Sequence, residues 1–179
     1  CLVLGMGIPT IPNYIITSSL AAPILLKLGL PLIVSHMFVF YFGIMADLTP
    51  PVALAAFAAA PIARESGMKI GMQALRVAIA GFIVPYMAVY SPALMLQGGD
   101  WLATAWVVFK ALVAIGMWGA GAIGFLLGPL NWLERCVAIG SASFLVVAVP
   151  LTDEIGLAAV TLFLVWHVWR KRQRAAQPA

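Results

Sequence analysis

The sequence predicts an all-α integral membrane protein with a re-entrant hairpin, a discontinuous helix and about four further transmembrane helices. Hydrophobic residues make up 64% of the 179 residues, charged residues make up 9%, and the mean hydropathy is +1.07. Soluble domains carry about 25% charged residues. Apolar runs follow one another almost from end to end, and glycines and prolines interrupt the first two of them.

Residues 1–30 are expected to form the re-entrant hairpin. Cys1–Met6 is apolar, a helical segment is predicted from Tyr14 to about Leu28, and the centre between them favours a turn. Each arm is too short to cross a bilayer alone, because a span needs ~20 apolar residues. The candidate site residues of this hairpin are Gly5, Gly7, Pro9, Thr10 and Asn13.

Residues 31–63 form a longer apolar run that we interpret as a helix broken inside the membrane. Near its centre the run carries Asp47, Thr49, Pro50 and Pro51. Proline lacks an N–H and clashes with the preceding turn, so two in succession break a helix. Broken backbone is tolerated in a bilayer only where protein buries it or where it lines a wet cavity. The break therefore indicates a transport site; the alternative is that the prolines only kink packed helices.

The residue types at the break suit an ion site. A half-helix that ends at Leu48 leaves carbonyls for a cation, and a half-helix that starts after Thr49 leaves N–H groups for an anion. Asp47 is open to three interpretations: it contacts a cation, carries a proton, or caps the second half-helix. The sequence holds no metal-ligand spacing, nucleotide-binding motif or nucleophile–base pattern. We therefore expect no enzyme activity and no cofactor beyond a coupling ion, Na⁺ or H⁺.

The rest of the chain divides into further spans and a basic tail. We assign 1–96 to a transport region, 97–170 to C-terminal transmembrane helices and 171–179 to a cytoplasmic tail. The further spans are predicted at 77–96, 101–127, 132–149 and 155–169, with a loop at 150–154 before the last of them. The lysine and arginines of the tail directly follow an apolar run, which is typical of a membrane flank and not of a nucleic-acid site.

Charge at the span ends predicts the orientation. With the tail in the cytoplasm, the Arg64–Arg76 connection also falls inside, and the loops that contain Asp100 and Asp153 fall outside. Lysine and arginine collect on cytoplasmic flanks, so this assignment is self-consistent, and the hairpin enters from the periplasmic side. Within the spans, His36 is expected near the interface, and Lys110 is expected to snorkel or to pair with a neighbour.

Two motifs resemble those of the large membrane subunit of tripartite ATP-independent periplasmic (TRAP) transporters. They are Gly5-Met6-Gly7-Ile8-Pro9-Thr10 and Leu-Thr-Pro-Pro-Val at 48–52, the latter followed by Ala-Leu-Ala-Ala. The sequence is most similar to the fused permeases of the TAXI type, in which the small and large membrane subunits are one chain. The resemblance covers about residues 1–96, and residues 97–179 match only as generic spans.

The resemblance implies one half of an inverted-repeat elevator transporter in the bacterial inner membrane. In this family a soluble periplasmic binding protein delivers an organic anion, and an ion gradient drives its uptake. The chain begins with Cys1 and not with methionine, so we interpret it as a C-terminal fragment whose partners include the missing N-terminal part and membrane lipid. The alternatives are an ion-coupled anion symporter without a binding protein and a structural membrane subunit that does not transport.

Overall fold

The computed structural model describes residues 1–98, 100–147 and 149–176. Helices account for most of these residues, and no β-strand occurs within these ranges. The chain forms two compact units, Cys1–Ala105 and Trp106–Ala179. The predicted all-α class is therefore confirmed. Among the residues covered by the predictions above, Gly99, Ala148 and 177–179 lie outside the described part of the chain.

The helices follow one another with short connections. In chain order they are α1 (Leu2–Gly5), α2 (Thr10–Lys27), α3 (Leu32–Ala46), α4 (Leu54–Ala63), α5 (Gly67–Val77), α6 (Ile79–Tyr90), a 3₁₀ helix (Pro92–Met95), α7 (Trp101–Ile123), α8 (Trp132–Val146) and α9 (Pro150–Ala176).

Three helical stretches of the described residues are long and apolar enough to cross a membrane, namely Gly67–Tyr90, Trp101–Ile123 and Leu151–Gln173. The first of them combines α5 and α6, so it starts earlier than the predicted span 77–96. Helix α8 has only 15 residues, or about 22 Å at 1.5 Å per residue, against a hydrocarbon core of ~30 Å. It is therefore shorter than the predicted span 132–149.

Two helices begin earlier than the sequence suggested, because proline is tolerated in a first helical turn. Helix α2 starts at Thr10 and not at Tyr14, with Pro9 as its N-cap and Pro12 in its first turn. Helix α9 starts at Pro150, so the predicted loop at 150–154 is wrong. In each case the proline occupies the first helical turn, where a backbone N–H would have no acceptor within the helix.

The first unit is organised around α3, which packs against α1, α2 and α6. Val34, Val39 and Ala46 of this helix have no exposed surface. On the side towards α6, the ring of Phe42 lies 5.6 Å from that of Tyr86. The helix that leads into the predicted break is thus held by neighbours on several sides, and its C-terminal end is correspondingly fixed.

Two polar contacts join helices of the second unit. The Lys110 ammonium of α7 lies 2.5 Å from the Asp153 carboxylate of α9, and these side chains are 4% and 13% exposed. Arg135 of α8 donates to the carbonyls of Gly121 and Ala122 at 2.7 and 2.9 Å, which satisfies acceptors that the end of α7 leaves open. Lys110 therefore pairs with a neighbour, as one of its two interpretations predicted.

Candidate functional site

The hairpin turn contacts the break between α3 and α4. The turn joins α1 to α2 and contains Gly7, whose φ of +77° lies in the left-handed region that favours glycine. A Cβ added to Gly7 would lie 3.6 Å from a methyl carbon of Val52. Two segments that the sequence singled out separately are thus brought together within the first unit.

The break is longer and more ordered than the sequence suggested. Helix α3 ends at Ala46 and α4 begins at Leu54, and the Pro50–Pro51 peptide bond between them is cis. The segment folds back on itself, because the N–H of Ala55 donates to the carbonyl of Asp47 at 3.2 Å. The prolines therefore interrupt the helix without leaving an extended linker.

Most of the carbonyls expected to be free at the end of α3 are occupied. The carbonyls of Ile44, Met45 and Ala46 accept from the N–H groups three residues further along, at 3.1, 3.2 and 3.3 Å. The expectation of a row of unpaired carbonyls is therefore wrong for these three. The physical reason is that the last turn tightens to the i→i+3 pattern, which satisfies acceptors that an ordinary helix end leaves open.

This tightening releases the carbonyl of Gly43. The N–H of Asp47 would ordinarily bond to it but donates to Ile44 instead. Nδ2 of Asn13 donates to the Gly43 carbonyl at 2.8 Å, and Asn13 is 1% exposed. A Cβ on Gly5 would lie 2.5 Å from the same nitrogen. Gly5 is therefore needed so that α1 can approach Asn13, and Asn13 joins the hairpin to α3.

Two buried oxygens at this junction have no hydrogen-bond partner among the residues that the structure describes. They are Oδ1 of Asn13 and Oδ1 of Asp47. Asn13 bonds the carbonyl of Gly43, and Asp47 follows Gly43 by four residues, so both groups belong to the C-terminal end of α3. A buried oxygen without a donor is costly, and a cation that bound such an oxygen would lower that cost.

The remaining predicted residues differ in their surroundings. Thr49 Oγ1 donates to the carbonyl of Met45 at 2.6 Å, which uses the hydroxyl proton and leaves the oxygen able to accept or coordinate. Pro9 and Thr10 are exposed at the start of α2. The N-cap of α4 is Ala53, and no side chain caps this helix. Asp47 accepts from the first turn of α4 through its main-chain carbonyl, so the interpretation of its carboxylate as the cap is wrong.

Sequence reasoning missed the part of Gly43. It is the single glycine of α3 and stands four residues before Asp47. Glycine is unfavourable inside a helix, and its missing side chain lets another segment come close, so a signal for this contact was present in the sequence. Its partner Asn13 lies 30 residues away, and only the fold shows that pairing.

Comparison with known protein families gives one finding for this region. The family model described as "Tripartite ATP-independent periplasmic transporter, DctM component" matches residues 1–99. The matched range covers more than half of the 179 residues and contains both the hairpin and the break. No curated protein and no solved structure gave a significant match.

Proposed function

We propose that this chain forms the ion-coupling half of a permease. The premise is that the chain belongs to the family of the DctM component of tripartite ATP-independent periplasmic transporters. Members of this family are membrane components of transporters and not enzymes. In the proposed function, an ion gradient drives uptake of an organic anion, a carboxylate, which a periplasmic binding protein delivers. The chain acts in the bacterial inner membrane, as part of a fused permease of the TAXI type and with the rest of its transporter.

The pair of unpartnered buried oxygens carries this proposal. Oδ1 of Asn13 and Oδ1 of Asp47 lie where the hairpin meets the break, and oxygen ligands at a broken helix are the usual means of binding a coupling ion. Na⁺ would take both oxygens, and Thr49 would supply a third. H⁺ would instead be carried by the Asp47 carboxylate.

The other side of the break has the polarity that an anionic substrate needs. Helix α4 begins at Leu54, so its positive dipole end lies at the break, beside the end of α3. A carboxylate bound there would be neutralised in part by the coupling ion. This arrangement supports coupled movement of ion and anion, because each ligand makes the site more favourable for the other.

We further propose that the hairpin is re-entrant, with its turn in a wet cavity. Cysteines introduced at Ile8 and Thr10 in the full transporter are expected to react with a small aqueous thiol reagent, and the coupling ion or the substrate is expected to slow that reaction. Ile8 is half-buried and Thr10 is exposed. A cysteine at Leu20, which is 56% exposed on α2, is the control for a lipid-facing position. If the cysteines at 8 and 10 stay as inert as the one at 20 under every condition, the hairpin is an ordinary span.

Removing the Thr49 hydroxyl tests the ion site directly. Thr49→Val keeps the side-chain shape, and we expect it to weaken the apparent affinity for the coupling ion by a factor of about five to over one hundred, the equivalent of a lost buried hydrogen bond of ~1–3 kcal/mol. The measurement is uptake into proteoliposomes under separate Na⁺ and H⁺ gradients, with and without the binding protein. Thr161→Val is the matched control, because its hydroxyl also donates to the carbonyl four residues before it, at 2.7 Å on α9.

Asp47→Asn in the same assay identifies the ion. If Asp47 carries the proton, the variant is expected to lose proton-driven uptake and to keep exchange. If Asp47 is a Na⁺ ligand, the variant keeps one side-chain oxygen and is expected to bind Na⁺ with lower affinity. Unchanged ion dependence in both Thr49→Val and Asp47→Asn would remove the break from the coupling site. Uptake that persists without the binding protein would favour the symporter alternative.

A further inference from the structure

A groove runs between α8 and α9 in the second unit. Its volume is about 630 Å³, and its wall is mainly apolar, with Val137, Leu162 and Phe163 among the lining side chains. Leu162 is 70% exposed, although a leucine at a helix–helix junction is ordinarily covered. The groove is therefore an apolar surface that the second unit does not cover with its own described residues.

The length of the groove corresponds to one leaflet of a bilayer. Along α9 its lining runs from Ala159 to Arg170, which is about 16 Å at 1.5 Å per residue. One leaflet contributes about 15 Å, half of a hydrocarbon core of ~30 Å. Beyond Ala159 the two helices close together, since a Cβ on Gly156 would lie 2.8 Å from a methyl carbon of Leu145. A groove closed at half height has no room for a membrane-spanning helix but accommodates an acyl chain.

The open end of the groove is basic and carries an interfacial aromatic residue. Arg170 lies over the ring of Trp166, 5.2 Å from its centroid, and tryptophan is enriched at the headgroup level of membranes. The acidic group facing this end is Glu134, whose carboxylate already accepts from the Arg170 guanidinium and from the N–H of Asn131. Arg170 keeps further N–H donors. The next residue, Lys171, is exposed and lines the adjoining pocket, which shares Glu134 and Arg170 with the groove.

We propose that this groove binds one acyl chain of an anionic phospholipid, with the phosphate on Lys171 and on the remaining N–H groups of Arg170. The apolar wall takes the chain, the closed end fixes its depth, and the basic end selects the headgroup charge. Clusters of lysine and arginine beside a membrane helix attract anionic lipid of the cytoplasmic leaflet, which is the side that the charge pattern assigns to this end of α9. The proposal does not depend on the transport site in the first unit.

Charge selection is tested by native mass spectrometry of the full transporter with phosphatidylglycerol and with phosphatidylcholine. Lys171→Gln is expected to lower phosphatidylglycerol occupancy about fivefold, the usual effect of one basic residue at an anionic surface, with little change for phosphatidylcholine. Lys69→Gln is the control: it removes one positive charge from an exposed lysine of α5, which does not line this groove. Equal losses in both variants would mean diffuse attraction to basic side chains and would overturn the proposal.

Groove occupancy is tested by filling the deep end. Ala159→Phe is expected to reduce binding of both lipids, whereas Ala158→Phe, on an adjacent exposed position outside the groove, is expected to leave it unchanged. If Ala159→Phe binds lipid like the unaltered protein, the groove is not the lipid site. A cross-link from a cysteine at Leu162 to another protein segment would assign the groove to a protein partner. Lys171→Gln keeps the test decisive if Ala159→Phe fails to fold, because Lys171 is a surface residue.

Discussion

Lys110→Met is expected to destabilise the second unit by about 3–5 kcal/mol, the cost of leaving one member of a buried ion pair without its partner. Lys110 lies 2.5 Å from Asp153, and both side chains are largely withdrawn from solvent. The other carboxylate oxygen of Asp153 is already buried without a partner among the described residues. Removal of the ammonium would therefore leave the whole carboxylate uncompensated. Thermal unfolding of the purified transporter in detergent measures the effect.

Two controls make this result specific. The double variant Lys110→Met with Asp153→Leu removes both charges and is expected to recover most of the lost stability, because apolar pairs often replace buried ion pairs without cost. Lys69→Met breaks a pair of the same length with Glu65, but there the side chains are 62% and 47% exposed, so the expected loss is at most about 1 kcal/mol. If the single variants at 110 and 69 lose equal stability, burial does not decide the value of the Lys110 pair.

Asn13→Leu is expected to abolish ion-driven uptake and to destabilise the first unit by about 1–3 kcal/mol, the penalty for an orphaned buried acceptor. The substitution removes the 2.8 Å hydrogen bond to the Gly43 carbonyl and also the oxygen proposed to hold the ion. Proteoliposome uptake and thermal unfolding should be measured on the same preparations. If Asn13 only links the hairpin to α3, Asn13→Leu would lower the thermal stability, and the remaining folded protein would keep ion-driven uptake.

Thr17→Val is the matched control for Asn13→Leu. Thr17 is also fully buried, on the same helix, one turn further on. Its hydroxyl donates to the carbonyl of Asn13 in its own helix at 2.7 Å, so its loss leaves no acceptor of another helix unpaired. We expect a small change in stability and normal uptake. A loss of uptake in Thr17→Val equal to that in Asn13→Leu would contradict the assignment of the oxygen of Asn13 to the site.

The break was predictable because its cause is local. Two successive prolines exclude a continuous helix whatever surrounds them, so an interruption within 31–63 follows from the residues alone. Its extent was not predictable in the same way. The hydrogen bond from Ala55 to Asp47 that folds the segment back depends on how α4 leaves the break, and no local preference determines that direction.

For the polar contacts, the need for a partner was predictable from the sequence, but the partner itself was not. The sequence places Lys110 in an apolar span and therefore requires a partner for it, but Asp153 lies 43 residues away, in a stretch interpreted as a loop. His36 was expected near the interface, and in the structure its Nδ1 lies 2.9 Å from the hydroxyl of Tyr14 on α2. Burial strongly favours a partner for a polar group, whereas the identity of the partner is a property of the tertiary fold.

The link between Asn13 and Gly43 also has a consequence for biosynthesis. Its two ends are separated by only 30 residues, and a ribosome adds 5–20 residues per second, so the second end follows the first by about 2–6 s. The hairpin is therefore already synthesised when the end of α3 leaves the ribosome. The hydrogen bond between Asn13 and Gly43 can form before the synthesis of α4 is complete. The first unit can assemble in the order in which it is synthesised, with the buried oxygens of Asn13 and Asp47 in place before the second unit exists.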